Sequence, residues 1–309
     1  MLRRNRQSRQ QQAPQNKPRG KPLAVSDFLL PEKLSPLVRN TIFSGNIFYQ
    51  ETVESTNTLA MAAGTRAGHA PDSAPEGSVF LCEEQTAGRG RGGHSWESEK
   101  GKGIYCSFLI HPPMTPAETL WLSLISGVAV QDATREVTGL HADIRWPNDL
   151  LIGERKFAGI LTEMSSDSSR VHHAVIGVGI NVNQESFPDD FSTVATSLRM
   201  EGGKDFSRIE MTAALIRAVD REYRALLRAM ESPIRTPALR FEPIMRRVES
   251  RSSYATGKLV HVDEDGGYTG TTDGLDPRGF LRVRTDKGLR MVISGSVRPF
   301  SGRNDASGS

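Results

Sequence analysis

The run Gln85-Thr86-Ala87-Gly88-Arg89-Gly90-Arg91-Gly92-Gly93-His94-Ser95-Trp96 gathers four glycines, two arginines and a histidine into one segment. Glycine lets a backbone approach a ligand closely and adopt positive φ. A guanidinium fork matches the oxygens of a phosphate or carboxylate. The chemistry implied is a loop that closes over an anionic group, phosphate above all. An exposed loop without a ligand would account for the glycines but not for the Arg-x-Arg pair. Gly88, Gly90 and Gly93 also match G-x-G-x-x-G, but that motif must open a helix whose N-terminus meets a pyrophosphate. The continuation Ser95 to Gly103 has no apolar face and two further glycines, so a dinucleotide fold is not expected.

A second constellation is Arg145-Trp146-Pro147-Asn148-Asp149, followed by Lys156 and Gly159-Ile160-Leu161. Pro147 fixes a turn, and Asn148 and Asp149 offer polar oxygens before an apolar strand resumes. Lys156 at the head of that strand is either a solvated edge charge or an anion ligand held at a sheet end. The third is Gly177-Val178-Gly179-Ile180-Asn181, where glycines inside a strand indicate close approach of a ligand or another backbone. No Ser/His/Asp order, zinc spacing or acid/base pair of carboxylates stands out. The inventory is cationic and glycine-rich, suited to stabilising phosphate charge without a protein nucleophile.

The elements that must position these residues follow from pattern and capping. Ile42–Val53 reads as strand-like around a Gly45-Asn46 turn, and Ser55-Thr56-Asn57 caps a short helix ending at Gly64. Val79–Glu83 and Ile104–Ile110 are apolar strands. A capping box at Thr115…Glu118 opens a helix that stops at Gly139, and another at Ser207…Glu210 opens a helix to about Met230. Leu150–Ile152 and Lys156–Glu163 form a hairpin, and Val171–Val182 is a further strand. Pro243 and the polar Glu249–Ser253 run read as a linker. From Gly257 to Arg298, four short strands alternate with glycine turns, as in a small β-barrel. The expected division is a basic disordered tail over 1–22, a catalytic domain over 23–250, a barrel over 255–300 and a second tail over 301–309.

The 39 Lys+Arg and 36 Asp+Glu give a net charge of +3. Seven of the basic residues lie in positions 1–22, which contain no acid; the remainder is net −4. Local charge rather than the average attracts a polyanion, so the balance does not argue for nucleic-acid binding. The tail reads as solvated, with a targeting or polyanion-binding role as the alternative. No stretch reaches the roughly 20 apolar residues of a spanning helix, so no membrane association is expected. Cys82 and Cys106 cannot make a disulfide framework and read as buried free thiols of a reducing cytoplasm.

Taken in order, Glu54-Ser55-Thr56-Asn57, Glu84 to Gly93, Trp96, Trp146-Pro147-Asn148-Asp149, Lys156 with Gly159-Ile160-Leu161, Gly177 to Asn181 and Thr196-Ser197-Leu198 resemble the biotin protein ligases. The resemblance covers about residues 40–230, and the C-terminal strands look like that family's small barrel. It implies an α+β fold: a mixed β-sheet flanked by helices, like class II aminoacyl-tRNA synthetases, followed by an SH3-like β-barrel. It also implies two steps. Biotin and ATP give biotinyl-5′-adenylate, and a lysine of a biotin carboxyl carrier protein or domain then takes the biotin.

By this resemblance Lys156, Arg89 and Arg91 are catalytic, with Lys156 bridging the biotin carboxylate and the α-phosphate. Ser55, Thr56, Asn57, Gln85, Gly88, Arg89, Lys156, Gly159, Ile160 and Gly177 would bind biotin. Arg89, Gly90, Arg91, His94, Trp96, Asn148, Asp149 and Asn181 would hold ATP or the adenylate, with Mg2+ arriving on ATP and no dedicated metal site. His94 stands where the family usually has arginine, so one phosphate contact becomes weaker or pH-dependent near neutrality. Arg145 stands where it usually has lysine and keeps the charge. About 40 residues before the core leave no room for the winged helix-turn-helix of some members, so DNA-binding repression is not expected. Monomer and homodimer are both open. The alternatives are a lipoate or octanoyl ligase or transferase of the same fold, and a catalytically silent biotin sensor.

Overall fold

The apolar segments Val79–Glu83 and Ile104–Ile110 carry buried side chains on both faces, which a strand can do only when layers cover it on each side. In the computed structural model, which describes residues 28–65, 74–188, 193–234 and 236–300, they become the inner strands of a mixed sheet. Its strands are β1 (Ile47–Val53), β2 (Ser78–Gln85), β3 (Gly103–Ile110), β4 (Asp143–Arg145), β5 (Asp149–Ile152), β6 (Arg155–Ser166) and β7 (Val171–Asn181). They lie in the order β1-β2-β3-β7-β6-β5-β4, with β1 and β2 parallel and every other pair antiparallel. The 41–46 segment forms turns, so the first strand starts after Gly45-Asn46 and does not flank it.

Six helices accompany the sheet among the described residues: α1 (Pro31–Leu34), α2 (Thr56–Thr65), α3 (Leu120–Thr138), α4 (Leu198–Gly202), α5 (Arg208–Met230) and α6 (Pro237–Glu249). α2 packs Ala60 against Phe80, Leu109 and Val175 on one face of the sheet. α3 and α5 bury Leu124, Val128, Leu215 and Val219 with Phe108 and Ile176 on the other. Leu109 and Phe108 are neighbours in β3 and turn to opposite layers, the period-2 alternation of a strand. Thr115 and Glu118 form the expected capping box, but it opens a short 3-10 turn and α3 begins at Leu120. Gly139 ends α3 at φ 73°, donating its N–H to Arg135 O, and Ser207 Oγ caps α5 through the Glu210 N–H.

The expected linker around Pro243 is instead the helix α6, with Pro243 inside it. Phe241, Ile244 and Val248 make one buried face, and Phe241 stacks on Trp121 with ring centroids 5.6 Å apart. Burial of that face outweighs the helix penalty of proline, which acts on one backbone hydrogen bond. The C-terminal sheet has five strands rather than four: β8 (Thr256–Asp263), β9 (Tyr268–Leu275), β10 (Leu281–Thr285), β11 (Gly288–Val292) and β12 (Ser296–Pro299). All its pairs are antiparallel, in the order β11-β10-β9-β8-β12, consistent with a small β-barrel. The short β12 pairs antiparallel with β8. The expected tails, 1–22 and 301–309, lie outside the described residues.

Cys82 and Cys106 are both free and buried. Cys82 pairs with Tyr105 across β2 and β3, which turns Cys106 to the opposite face and rules out a disulfide between them. Burial pushes the Cys82 thiol up to about 12 and the Cys106 thiol higher still. The native protein should therefore be inert to a thiol reagent at pH 8 and yield two reactive thiols per chain in denaturant. Rapid native labelling would show that β2 and β3 open far more readily than this packing allows.

Candidate active site

The glycine-rich run leaves the end of β2 and returns toward β3 without forming a helix beyond a 3-10 turn at Arg91–Gly93. Its base is pinned by Thr86 and Ala87 N–H donating to Val53 and Glu54 carbonyls at 2.9 and 3.0 Å. It folds back on itself through Trp96 N–H to Gly88 O at 2.8 Å and Gly90 N–H to His94 O at 2.6 Å. Gly88 therefore closes the loop at the rim of the cavities beneath it. A Cβ there would lie 2.4 Å from the Trp96 carbonyl.

Two cavities meet under this loop. The smaller, about 50 Å³, is lined by Ser55, Thr56, Asn57, Gln85, Arg89, Gly159, Ile160 and Gly177. The larger, about 640 Å³, is lined by His94, Asp149 and Asn181 together with barrel residues such as Asp263 and Arg298. Gly90, Arg91, Trp96, Asn148 and Lys156 border both. The sequence-expected residues, with Gly88 at the rim, thus converge on one cleft although they come from five separate segments.

The small slot is built from mutually satisfied polar groups. Gln85 Oε1 accepts from Thr56 N–H (3.0 Å) and Thr56 Oγ1 (3.2 Å), while its Nε2 donates to Ser98 Oγ (2.9 Å). Ser107 Oγ contacts Thr56 Oγ1 at 2.8 Å and donates to Asn57 Oδ1 at 2.6 Å. Gly177 must be glycine here, because a Cβ would stand 2.1 Å from Asn57 Oδ1. At Gly179 a Cβ would meet the Trp96 indole at 2.5 Å. Trp96 was expected against the adenylate; it lies across the strand glycines between the two cavities, its ring centroid 5.5 Å from Lys156 Nζ.

The cations are each held by a protein partner. Lys156 Nζ lies 2.6 Å from Asp149 Oδ1, and Arg145 Nη2 lies 2.6 Å from Asp149 Oδ2. Burial alone raises the Asp149 carboxyl, but Lys156 and Arg145 beside it hold it below the usual carboxylate range. Arg89 Nη2 pairs with Glu163 Oε2 at 2.6 Å. Arg91 donates to the Ser294 and Gly295 carbonyls of the barrel at 3.0 and 3.4 Å. Burial lowers its guanidinium, an effect that Asp149 and Glu264 oppose. Asn148 and Asn181 spend their amide N–H groups on the Ile160 and Thr196 carbonyls, at 2.9 and 3.0 Å, and so shape the cleft.

Residues 49–181 match the biotin/lipoate A/B protein ligase family, and residues 256–298 match the biotin protein ligase C-terminal domain. The bifunctional ligase/repressor BirA of Bacillus spizizenii is 32% identical over 265 residues, 84% of this chain and 76% of that protein. The chain belongs to the biotin protein ligase family. As a member it is an ATP-dependent biotin protein ligase. The biotin–[acetyl-CoA-carboxylase] ligase of Mycobacterium tuberculosis is 30% identical, over 71% of this chain and 76% of that one. The biotin protein ligase of Aquifex aeolicus, solved in complex with biotin and ATP, superposes with a TM-score of 0.66 at 28% identity, covering 83% of this chain and all of that one.

Three features of this ligase's cleft had no place in the sequence reading. Glu163, on β6, reaches both Arg89 and Asn57. The period of two along β6, which puts Gly159, Leu161 and Glu163 on one face, was the signal that could have found it. Ser107 joins the slot from β3, and the barrel supplies a wall of the larger cavity. Neither carries a local sequence signal, because each depends on which chain segments fold together.

Proposed function

We propose that this chain joins biotin to ATP in the two cavities and passes the biotin to a lysine of a biotin carboxyl carrier domain. The observation that carries the reading is the position of Lys156, at the junction of a small polar slot and a larger cleft bordered by arginine. The slot would hold the biotin rings through Ser55, Thr56, Asn57 and Gln85. The larger cleft would hold ATP, near Arg91, His94, Asp149 and Asn181.

In the first step a biotin carboxylate oxygen attacks the α-phosphorus, the bond to the bridging oxygen breaks, and pyrophosphate leaves with its electron pair. Both reactants are anions, and the Lys156 ammonium between them lowers their repulsion. In the second step the carrier's neutral lysine amine attacks the mixed-anhydride carbonyl, AMP departs with the bridging oxygen and its electron pair, the attacking nitrogen gives one proton to solvent, and an amide remains. Closure of Trp96 and its loop over the adenylate would exclude water from the anhydride.

Mg2+ would come with ATP and screen its triphosphate. Among the described residues no group of three or more His, Cys, Asp or Glu side chains could hold a metal, and Asp149 is shared by two cations. Asn148 and Asp149 line the larger cavity and would offer oxygens, with the phosphates supplying most ligands. No helix among the described residues is long and apolar enough to cross a membrane. We place the reaction in the cytoplasm with a carrier protein as partner, and assign no DNA to the cleft.

Incubation with labelled biotin, Mg-ATP and a biotin carrier domain should release pyrophosphate and label the carrier's lysine. Transfer of lipoate alone would reverse the assignment to the lipoate branch of the fold. Biotin binding without pyrophosphate release would make the chain a sensor.

A further inference from the structure

One carboxylate beside the cleft lines neither cavity and is unused by the reaction just described. Glu163 follows Gly159 and Leu161 on one face of β6, while Thr162 turns to the other layer and meets Ser123 Oγ at 2.8 Å. Glu163 Oε2 accepts two hydrogen bonds, from Asn57 Nδ2 at 2.8 Å and from Arg89 Nη2 at 2.6 Å. Asn57 is buried and fully engaged: Nδ2 also donates to Leu161 O at 3.1 Å, and Oδ1 accepts from Ser107. Arg89 differs, with a side chain 45% exposed and a single guanidinium nitrogen on Glu163.

We infer that Glu163 is a positioning residue for biotin binding, because one of its oxygens ties the loop arginine Arg89 to the slot amide Asn57. The inference rests on the reading of this cleft as the biotin and adenylate site. An arginine that clamps a carboxylate must give up rotamer freedom. Pairing with Glu163 before the ligand arrives removes part of that loss, and a one-nitrogen contact leaves the other N–H donors for the incoming anion. Two opposing effects then compete. The carboxylate also repels the ligand's negative charge, but at a half-exposed site solvent and salt screen that repulsion. The Arg89–Glu163 contact at 2.6 Å is screened less than a repulsion acting over a longer distance, so Glu163 tightens binding on balance.

The test is a double-mutant cycle on biotin-dependent pyrophosphate release, with Glu163→Gln, Arg89→Ala and the double variant. Glutamine still accepts from Asn57 but makes no ion pair. Glu163→Gln should raise the KM for biotin about fivefold, the scale of one partly exposed ion pair, with kcat within about twofold. In the Arg89→Ala background the same change should move KM less than about twofold. An unchanged KM, an equal rise with and without Arg89, or a loss confined to kcat would each overturn the inference. If Glu163→Gln yields no folded protein, Glu163→Asp goes through the same cycle with the same criteria. Failure of the unmodified protein to release pyrophosphate with biotin would instead refute the reading of the site itself.

Discussion

Lys156→Ala should lower the rate of biotinyl-adenylate formation by on the order of 10³-fold, the upper range for removing one preorganised donor from a developing charge. A carboxylate approaching a phosphate at about 4 Å meets a repulsion of roughly 4 kcal/mol at an effective dielectric of 20. Lys156 is the ammonium that borders both cavities, and Asp149 holds it at 2.6 Å. The Asp149 carboxyl is held below its ordinary range by Lys156 and Arg145 in spite of burial, so the pair stays ionised as pH falls from neutrality through the usual carboxylate range. Any stability that Asp149 contributes is present above its ordinary value and lost only when pH drops through the lowered one. Lys156→Ala removes one of the two cations that hold Asp149 down, so burial should move that carboxyl's titration upward, opposed by Arg145 alone, and the pH profile of the residual rate should show it. Single-turnover pyrophosphate release reads this directly. A normal adenylate yield from the alanine variant would remove Lys156 from the chemistry.

Arg208→Ala should cost about 3–5 kcal/mol of folding stability, the range for breaking a buried ion pair by removing one partner. Arg208, the first residue of α5, places Nη1 2.7 Å from Glu83 Oε2, and the two side chains are 4% and 0% exposed. The same nitrogen donates to Gly103 O at 3.1 Å, and Glu83 Oε1 accepts from Leu29 N–H at 2.8 Å. The pair thus joins α5, the start of β3 and the segment before α1 to the strand that leads into the glycine loop. Alanine would leave the Glu83 carboxylate buried with the Leu29 N–H and no cation. A paired change, Arg208→Leu with Glu83→Gln, should recover a substantial part of the loss, because the cost lies in the orphaned charge. Urea denaturation at constant m value measures both. A loss below about 1 kcal/mol for Arg208→Ala would show that water reaches Glu83.

How much was legible differs by residue. Lys156, Arg89, Arg91 and the strand glycines announce themselves because their types are costly where they stand: a lysine opening an apolar strand, glycines within one, arginines among glycines. Gly177 and Gly179 are required by Asn57 and Trp96, groups far away in sequence, yet their presence in a strand was enough to mark a close approach. Pro243 misled, because local propensity argued for a break while the buried face of Phe241, Ile244 and Val248 decided for a helix. Gly88 was legible only as a glycine in a loop, since the pairing of its carbonyl with the Trp96 N–H is set by the fold of the loop.

Residue types, spacing and order, by themselves, determined the family, the layered α+β plan and which cationic and glycine segments meet at the cleft. These are local or one-dimensional properties: caps, strand periods, and the chemistry of a side chain in its segment. Tertiary structure alone decided that Glu163 links Arg89 to Asn57, that Ser107 completes the slot, and that the barrel's Ser294 and Gly295 carbonyls hold Arg91. Each of these contacts joins segments that are distant along the chain, and no sequence window records which of them the packed core will bring within hydrogen-bonding reach.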